Sequence, residues 1–135
     1  MYKNILVPIA LDHESDIAKS LAIARNLLAD GGQITLLSVI EDVPSYVSEY
    51  VMVKQVDKVI EGAKAKLKAD FADKEGVNSD VISGHAGVVI TKYAEKNNMD
   101  LIVVSSRRPG VHDYFLGSTA ARLVRRAPCA VHVVR

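Results

Sequence analysis

The sequence predicts a doubly wound α/β domain: one five-stranded parallel sheet, order 3-2-1-4-5, with helices on both faces. Two observations carry this. Short apolar runs rich in β-branched residues alternate with longer segments whose apolar residues recur at helical spacing, giving the order βαβαβαβαβ. No linker, internal repeat or low-complexity stretch breaks the alternation across the 135 residues. Strands separated by helices pair in parallel through right-handed crossovers. The length suits one domain spanning 1–135.

Each element has its own signal. Ile5-Leu6-Val7-Pro8-Ile9 is too short for a helix and continuously apolar, as a strand buried on both faces must be. Ile17, Leu21, Ala24 and Leu28 follow at helical spacing, and Gly31-Gly32 is the expected stop. Ile34 to Ile40 is a second buried run, followed by a polar loop containing Pro44. Val56, Ile60, Ala63, Leu67 and Phe71 mark a second helix, with Lys and Glu on its outer face. Val77 to Ile82 forms a third strand whose polar interior suits a sheet edge. Val89, Ile90, Tyr93 and Ala94 mark a third helix, ended by Asn97-Asn98. Leu101 to Val104, Ser118 to Arg126 and Ala130 to Val134 complete the series as strand, helix and strand.

Composition removes several function classes. At 49% apolar and a formal net charge of +1, the chain can bury a core and is not disordered. No apolar run approaches the roughly 18 residues of a membrane span, and the N-terminus lacks a signal-peptide pattern. The single cysteine, Cys129, excludes an intrachain disulfide framework and points to a reducing, cytoplasmic setting. Two Phe, five Tyr and no Trp leave few platforms for stacking bases, so no nucleic-acid partner is expected. The charge is unevenly spread. Arg107, Arg108, Arg122, Arg125, Arg126 and Arg135 face only Asp113 in the last stretch, a net of +5 against −4 for the remainder. That asymmetry suggests an anionic ligand or an acidic partner for the C-terminal quarter, although Arg122, Arg125 and Arg126 are also where a helix C-terminus attracts cations.

In a doubly wound sheet, ligands sit beyond the carboxyl ends of the strands where the strand order reverses. For the order 3-2-1-4-5 that place lies between Pro8–Asp12 and Val104–Gly110. The loop after the first strand, Ile9-Ala10-Leu11-Asp12-His13, has no glycine, so it is neither a dinucleotide fingerprint nor a P-loop. No Gly-x-Ser-x-Gly elbow is present. The third strand ends Val81-Ile82-Ser83, without the aspartate of a phosphoacceptor receiver. The fourth helix says more. It opens with Gly117-Ser118-Thr119, small residues that let backbone N–H groups and two hydroxyls approach an anion. Ser105-Ser106-Arg107-Arg108-Pro109-Gly110, leaving the fourth strand, adds two hydroxyls, two guanidiniums and a turn. One loop therefore brackets an anion from both sides.

Ile5-Leu6-Val7-Pro8, the element order, Leu116-Gly117-Ser118-Thr119 and the closing Arg126-Ala127-Pro128-Cys129-Ala130-Val131-His132-Val133-Val134 together resemble the universal stress proteins, in their small single-domain form. The resemblance covers essentially the whole chain and is most specific over its last stretch. It implies a stress-response homodimer, paired through the last, edge strand, that binds ATP or AMP, with Mg2+ accompanying the nucleotide. Pro8, Ile9, Ala10 and Val39 would surround adenine and ribose. Ser105, Ser106, Arg107, Arg108, Gly117, Ser118 and Thr119 would hold phosphates, and Val104 borders the same site.

The chain departs from the family pattern at instructive places. ATP-binding members carry two glycines after the fourth strand, and these positions fall on Ser105 and Arg108, with a loop one residue shorter before Gly117. Ser106-Arg107-Arg108-Pro109 is similar to a variant found in some members, in which guanidiniums stand in for exposed amides and Pro109 locks the turn. The family's aspartate two residues after the first-strand proline is Ala10 here. Asp12 lies close by, and substituting for that aspartate or capping the following helix are both open to it. A closed crevice would instead leave a non-nucleotide-binding, dimeric protein-interaction module, and an enzyme acting on another small phosphorylated ligand is a third reading. No general base or nucleophile is positioned for turnover, so slow hydrolysis is the most to expect.

The remaining candidates read as structural. His13, His85, His112 and His132 lack metal-ligand spacing. His132 alternates with valines as an exposed strand residue, and His85 sits in the turn before the third helix. Cys129 reads as a small buried hydrophobe. Tyr46, Tyr50 and Met52 fall in the long loop after the second strand, placed either to cover the crevice or to meet a partner.

Overall fold

A computed structural model describes residues 1–10, 14–41, 49–106 and 116–135. The elements run β1 (Tyr2–Ile9), α1 (Glu14–Leu27), β2 (Leu28–Ile40), α2 (Glu49–Asp70), β3 (Val77–Ser83), α3 (Ala86–Lys96), β4 (Leu101–Ser105), α4 (Ser118–Arg126) and β5 (Ala130–Val134). All five strands are parallel, in the order β3-β2-β1-β4-β5, so the polar third strand is an edge as its sequence suggested. Among the described residues no helix is long and apolar enough to cross a membrane.

Period-2 alternation splits the continuous apolar strands between two cores. Ile5, Val7, Ile34, Leu36, Leu101 and Val103 face one side, where Leu21 and Ala24 of α1 meet them. Leu6, Leu37, Ile102 and Val104 face the other, under Ile90 and Ala94 of α3 and Ala120 and Leu123 of α4. Both faces are covered, which is why β1 and β4 carry no polar residue at these positions. Each fully buried Leu or Ile contributes about 2 kcal/mol of burial free energy.

Two boundaries differ from expectation. Leu28 does not close α1; the helix ends at Leu27, and Leu28 opens β2 by pairing with Tyr2. The register then jumps to Asn4↔Gln33. Gly31 takes up the turn at φ +76°, and a Cβ on Gly32 would lie 2.9 Å from the Lys3 carbonyl. The glycine pair therefore lets β1 and β2 converge instead of stopping the helix. Asp100 braces the irregularity, its carboxylate accepting the Lys3 and Asn4 amides at 2.8 and 3.0 Å. The second difference is at α2, which begins at Glu49, so Tyr50 and Met52 stand on helical backbone rather than in a loop. Nothing between Glu49 and Val56 breaks a helix, since the stretch has neither Gly nor Pro. Tyr46 lies outside the described residues.

The edge strand β3 is tied down by charge. Asp80 meets Lys64 of α2 at 3.7 Å and accepts a hydrogen bond from the Tyr93 hydroxyl of α3 at 3.0 Å. Burial, and then the neighbouring Asp80 carboxylate, pushes the Tyr93 phenol up to about 12. A charged, side-chain-covered edge also discourages pairing with a second copy along β3.

Candidate functional site

The sheet opens where its order reverses. β1 stays paired with β2 as far as Ile9↔Ser38, whereas its register with β4 covers only Ile5↔Leu101 and Leu6↔Ile102. Beyond that point β1 and β4 part, and a cavity of about 410 Å3 occupies the gap. That volume lies within the usual range of small-molecule sites, about 300–1,000 Å3.

Seven of the residues predicted for the site line this cavity: Pro8, Ile9, Ala10, Val39, Val104, Ser105 and Thr119. They come from the ends of β1, β2 and β4 and from the first turn of α4, the convergence that a doubly wound sheet builds at its switch point. Ser106, Gly117 and Ser118 are not among the lining residues. The Ser106 hydroxyl and amide both donate to the Val134 carbonyl, at 3.2 and 2.9 Å, fastening the end of β4 to β5. Gly117 is the N-cap of α4, and Ser118 is exposed beside it. Arg107 and Arg108 lie outside the described residues, as do Asp12, His13 and His112.

Every helix begins at this end of the parallel sheet, and the starts of α3 and α4 differ. The Ala86 amide of α3 donates to the Glu41 carboxylate at 3.3 Å, so a carboxylate from the end of β2 already meets that positive helix end. Among the described residues no side chain caps α4 at Gly117, whose φ of −54° lies in ordinary backbone territory. Free N–H groups at a helix start are a ready anion site. Thr119, in the first turn of α4, lines the cavity. Among the described residues the pocket therefore has an apolar floor and the positively biased first turn of α4 on one side.

Three polar residues of the wall were not among the sequence candidates. Asp16 and Ser20 project from α1 one turn apart, and Ser38 comes from β2. Ser20 and Ser38 are only 3% and 4% exposed, deep in the wall. The signal was available: Asp16 and Ser20 stand four residues apart, flanking the apolar stripe of Ile17 and Leu21 at the crevice end of the helix. Among the described residues Asp16 makes no hydrogen bond or ion pair within the protein.

Other features carry no site chemistry. A second hollow of about 640 Å3 lies between α1 and α2, lined by Leu21, Leu67, Phe71 and the cations Arg25, Lys66 and Lys74, and it gathers none of the predicted site residues. Among the described residues no three His, Cys, Asp or Glu side chains could share a metal ion. His85 is the N-cap residue of α3, exposed and outside the cavity, and His132 is exposed on β5 as its alternation suggested. Cys129 packs against the α3–α4 core, and burial, with Asp100 adding to it, pushes its thiol up and away from a reactive thiolate.

The model of the universal stress protein family matches residues 1–135. A universal stress protein A homolog of Coxiella burnetii is 33% identical over 99% of this chain and 95% of its own length. The solved structure of hypothetical protein MJ0577 superposes with a TM-score of 0.80 at 25% identity, covering 99% of this chain and 96% of that one. A universal stress protein solved in complex with cAMP shares the fold at a TM-score of 0.58 and 17% identity, covering 99% and 97%.

Proposed function

The chain belongs to the universal stress protein family, and on that premise we propose that it binds an adenine nucleotide, ATP or AMP, in the crevice between β1 and β4. One observation carries the reading: an apolar cavity of about 410 Å3 bordered by the uncapped first turn of α4. Pro8, Ile9 and Val39 suit the flat, apolar faces of a purine, and Ser105 and Thr119 offer hydroxyls toward phosphate. Arg107 and Arg108, in the segment between β4 and α4, supply the guanidiniums that this reading assigns to phosphate. That a protein of this fold was solved with cAMP supports a cyclic or linear adenine nucleotide as the ligand class. Mg2+ then enters with the phosphates, as the accompanying cation of the nucleotide. Binding, rather than turnover, is the activity, and the protein acts as a nucleotide-responsive element of a cytoplasmic stress response.

The reading includes a homodimer paired along β5. That strand is a sheet edge, with Ala130 and His132 exposed and Val131 and Val133 half-buried, and it lacks the charged guard that Asp80 gives β3. Sedimentation at micromolar concentration tests this; a monomer would refute it.

A second reading, a dimeric interaction module without nucleotide, draws on the outer face of α4. Arg122, Arg125 and Arg126 are exposed there, around a Val124 that is 53% exposed. Calorimetric titration with ATP, AMP and inorganic phosphate decides between the two. Adenine-dependent heat that is lost in Arg108→Ala supports nucleotide binding. Silence with all three ligands favours the interaction module, and binding of phosphate regardless of base contradicts both.

A further inference from the structure

The cavity has walls of opposite character, and that asymmetry orients whatever enters it. On one side stands the uncapped start of α4 with Thr119, where partial positive charge collects. On the α1 side stands Asp16, half-buried, with the Ser20 hydroxyl one turn further along the same helix face. Resting on the nucleotide reading above, we infer that Asp16 is a specificity-determining residue that accepts hydrogen bonds from the vicinal ribose hydroxyls of the ligand.

Three observations combine. First, Ala10 puts a methyl group in the wall where a polar side chain could have met a sugar hydroxyl, and among the described lining residues Asp16 is the one carboxylate. Second, Asp16 makes no hydrogen bond or ion pair among the described residues, and it lines the cavity half-buried. Third, a carboxylate repels phosphate, so a polyphosphate cannot lie along α1 and is driven toward α4. A neutral cis-diol is the part of a nucleotide that a carboxylate can hold, since each hydroxyl donates to one oxygen in a charge-assisted pair. The sugar thus faces α1 while the phosphates face α4, and the base occupies the apolar floor between them. A site that binds hydroxyls in this way discriminates strongly against analogues lacking them, because the carboxylate is then desolvated without a partner.

The test measures binding of ATP and of 2′,3′-dideoxy-ATP by the unaltered protein, by Asp16→Ala and by Asp16→Asn. The unaltered protein should bind ATP about tenfold or more tighter than the dideoxy analogue. In Asp16→Ala the two ligands should bind equally, with dideoxy-ATP held at least as tightly as by the unaltered protein. Asp16→Asn keeps the shape of the helix start while removing the charge, and should retain a preference of only a fewfold. Equal binding of both ligands by the unaltered protein overturns the role of Asp16 and leaves nucleotide binding standing. A preference that survives in Asp16→Ala overturns it equally. Absence of binding by either ligand refutes the nucleotide reading itself, and this inference with it.

Discussion

The starts of α3 and α4 lie at the same end of the sheet, yet among the described residues only that of α3 has an amide taken by a side chain. α3 is entered through Gly84 at φ +137°, where a Cβ would lie 2.5 Å from Val89, and its first amide is taken by Glu41. α4 is entered through Gly117 in ordinary backbone geometry, with a Cβ position 3.6 Å from the Ser106 carbonyl, and among the described residues no side chain caps it. The glycine before α3 is therefore there for shape, whereas the backbone before α4 does not require one, and access for phosphate is the use that the proposed nucleotide site gives it. Small residues at two helix starts look alike in a sequence and do opposite work in the fold.

Giving α4 the carboxylate that α3 already has should break the comparison most severely. Gly117→Asp has room, and as an N-cap it should leave the helix as stable or about 0.3 kcal/mol more so. Placed where phosphate would sit, the added charge should weaken ATP binding on the order of a hundredfold by calorimetry. A variant that both melts later and binds ATP unchanged would remove α4 from the site.

Alanine at the two glycines sharpens the contrast in stability. Gly84→Ala meets both an unfavourable φ and Val89, and should cost about 2–3 kcal/mol in urea denaturation. Gly117→Ala should cost under about 1 kcal/mol. Similar costs at the two positions would contradict the assignment of shape to one and access to the other.

The seating of α3 also depends on Tyr93 and its bond to Asp80. Tyr93→Phe should lose about 1 kcal/mol at neutral pH. The phenol is held near 12 in the folded chain against an ordinary value of 10. Its contribution is therefore complete below pH 10 and declines as pH rises from 10 toward 12, the unfolded chain ionising first. Denaturation midpoints across that window should fall more steeply for the unaltered protein than for Tyr93→Phe.

The smallest effect belongs to Glu41. Glu41→Gln withdraws the carboxylate from α3, with a loss of about 0.5 kcal/mol and a two- to threefold gain in ATP affinity as negative charge leaves the crevice end. A loss of affinity would mean that Glu41 helps to hold the ligand.

Much of this arrangement was legible before the structure, and the rest was hidden for identifiable reasons. β5 and α4 were readable to the residue, because a β-branched run follows Pro128 and the small residues Gly117-Ser118-Thr119 precede an apolar helix face. Pro8, Ile9 and Val104 followed from strand order, since a parallel sheet brings strand ends together, while Val39 came from the family resemblance and Thr119 from the small residues opening α4. Leu28 misled because it continues the helical spacing of α1, and only its pairing with Tyr2 claims it for β2. Glu41 was invisible as a cap because it lies 45 residues from the amide that it accepts. Asp16 was passed over because a carboxylate in a first helical turn has an ordinary role with the dipole, and only the cavity reveals it as a wall residue.

Amide chemical shifts recorded while ATP is titrated into the uniformly 15N-labelled protein test the division between the two helix starts most directly. The amides of Ser118, Thr119 and Ala120 should shift strongly and saturate with the calorimetric affinity, while those of Ala86, Gly87 and Val88 move little. Saturating shifts at the start of α3 with none at the start of α4, or no saturating shift at either, would contradict an ATP site built on the open helix end.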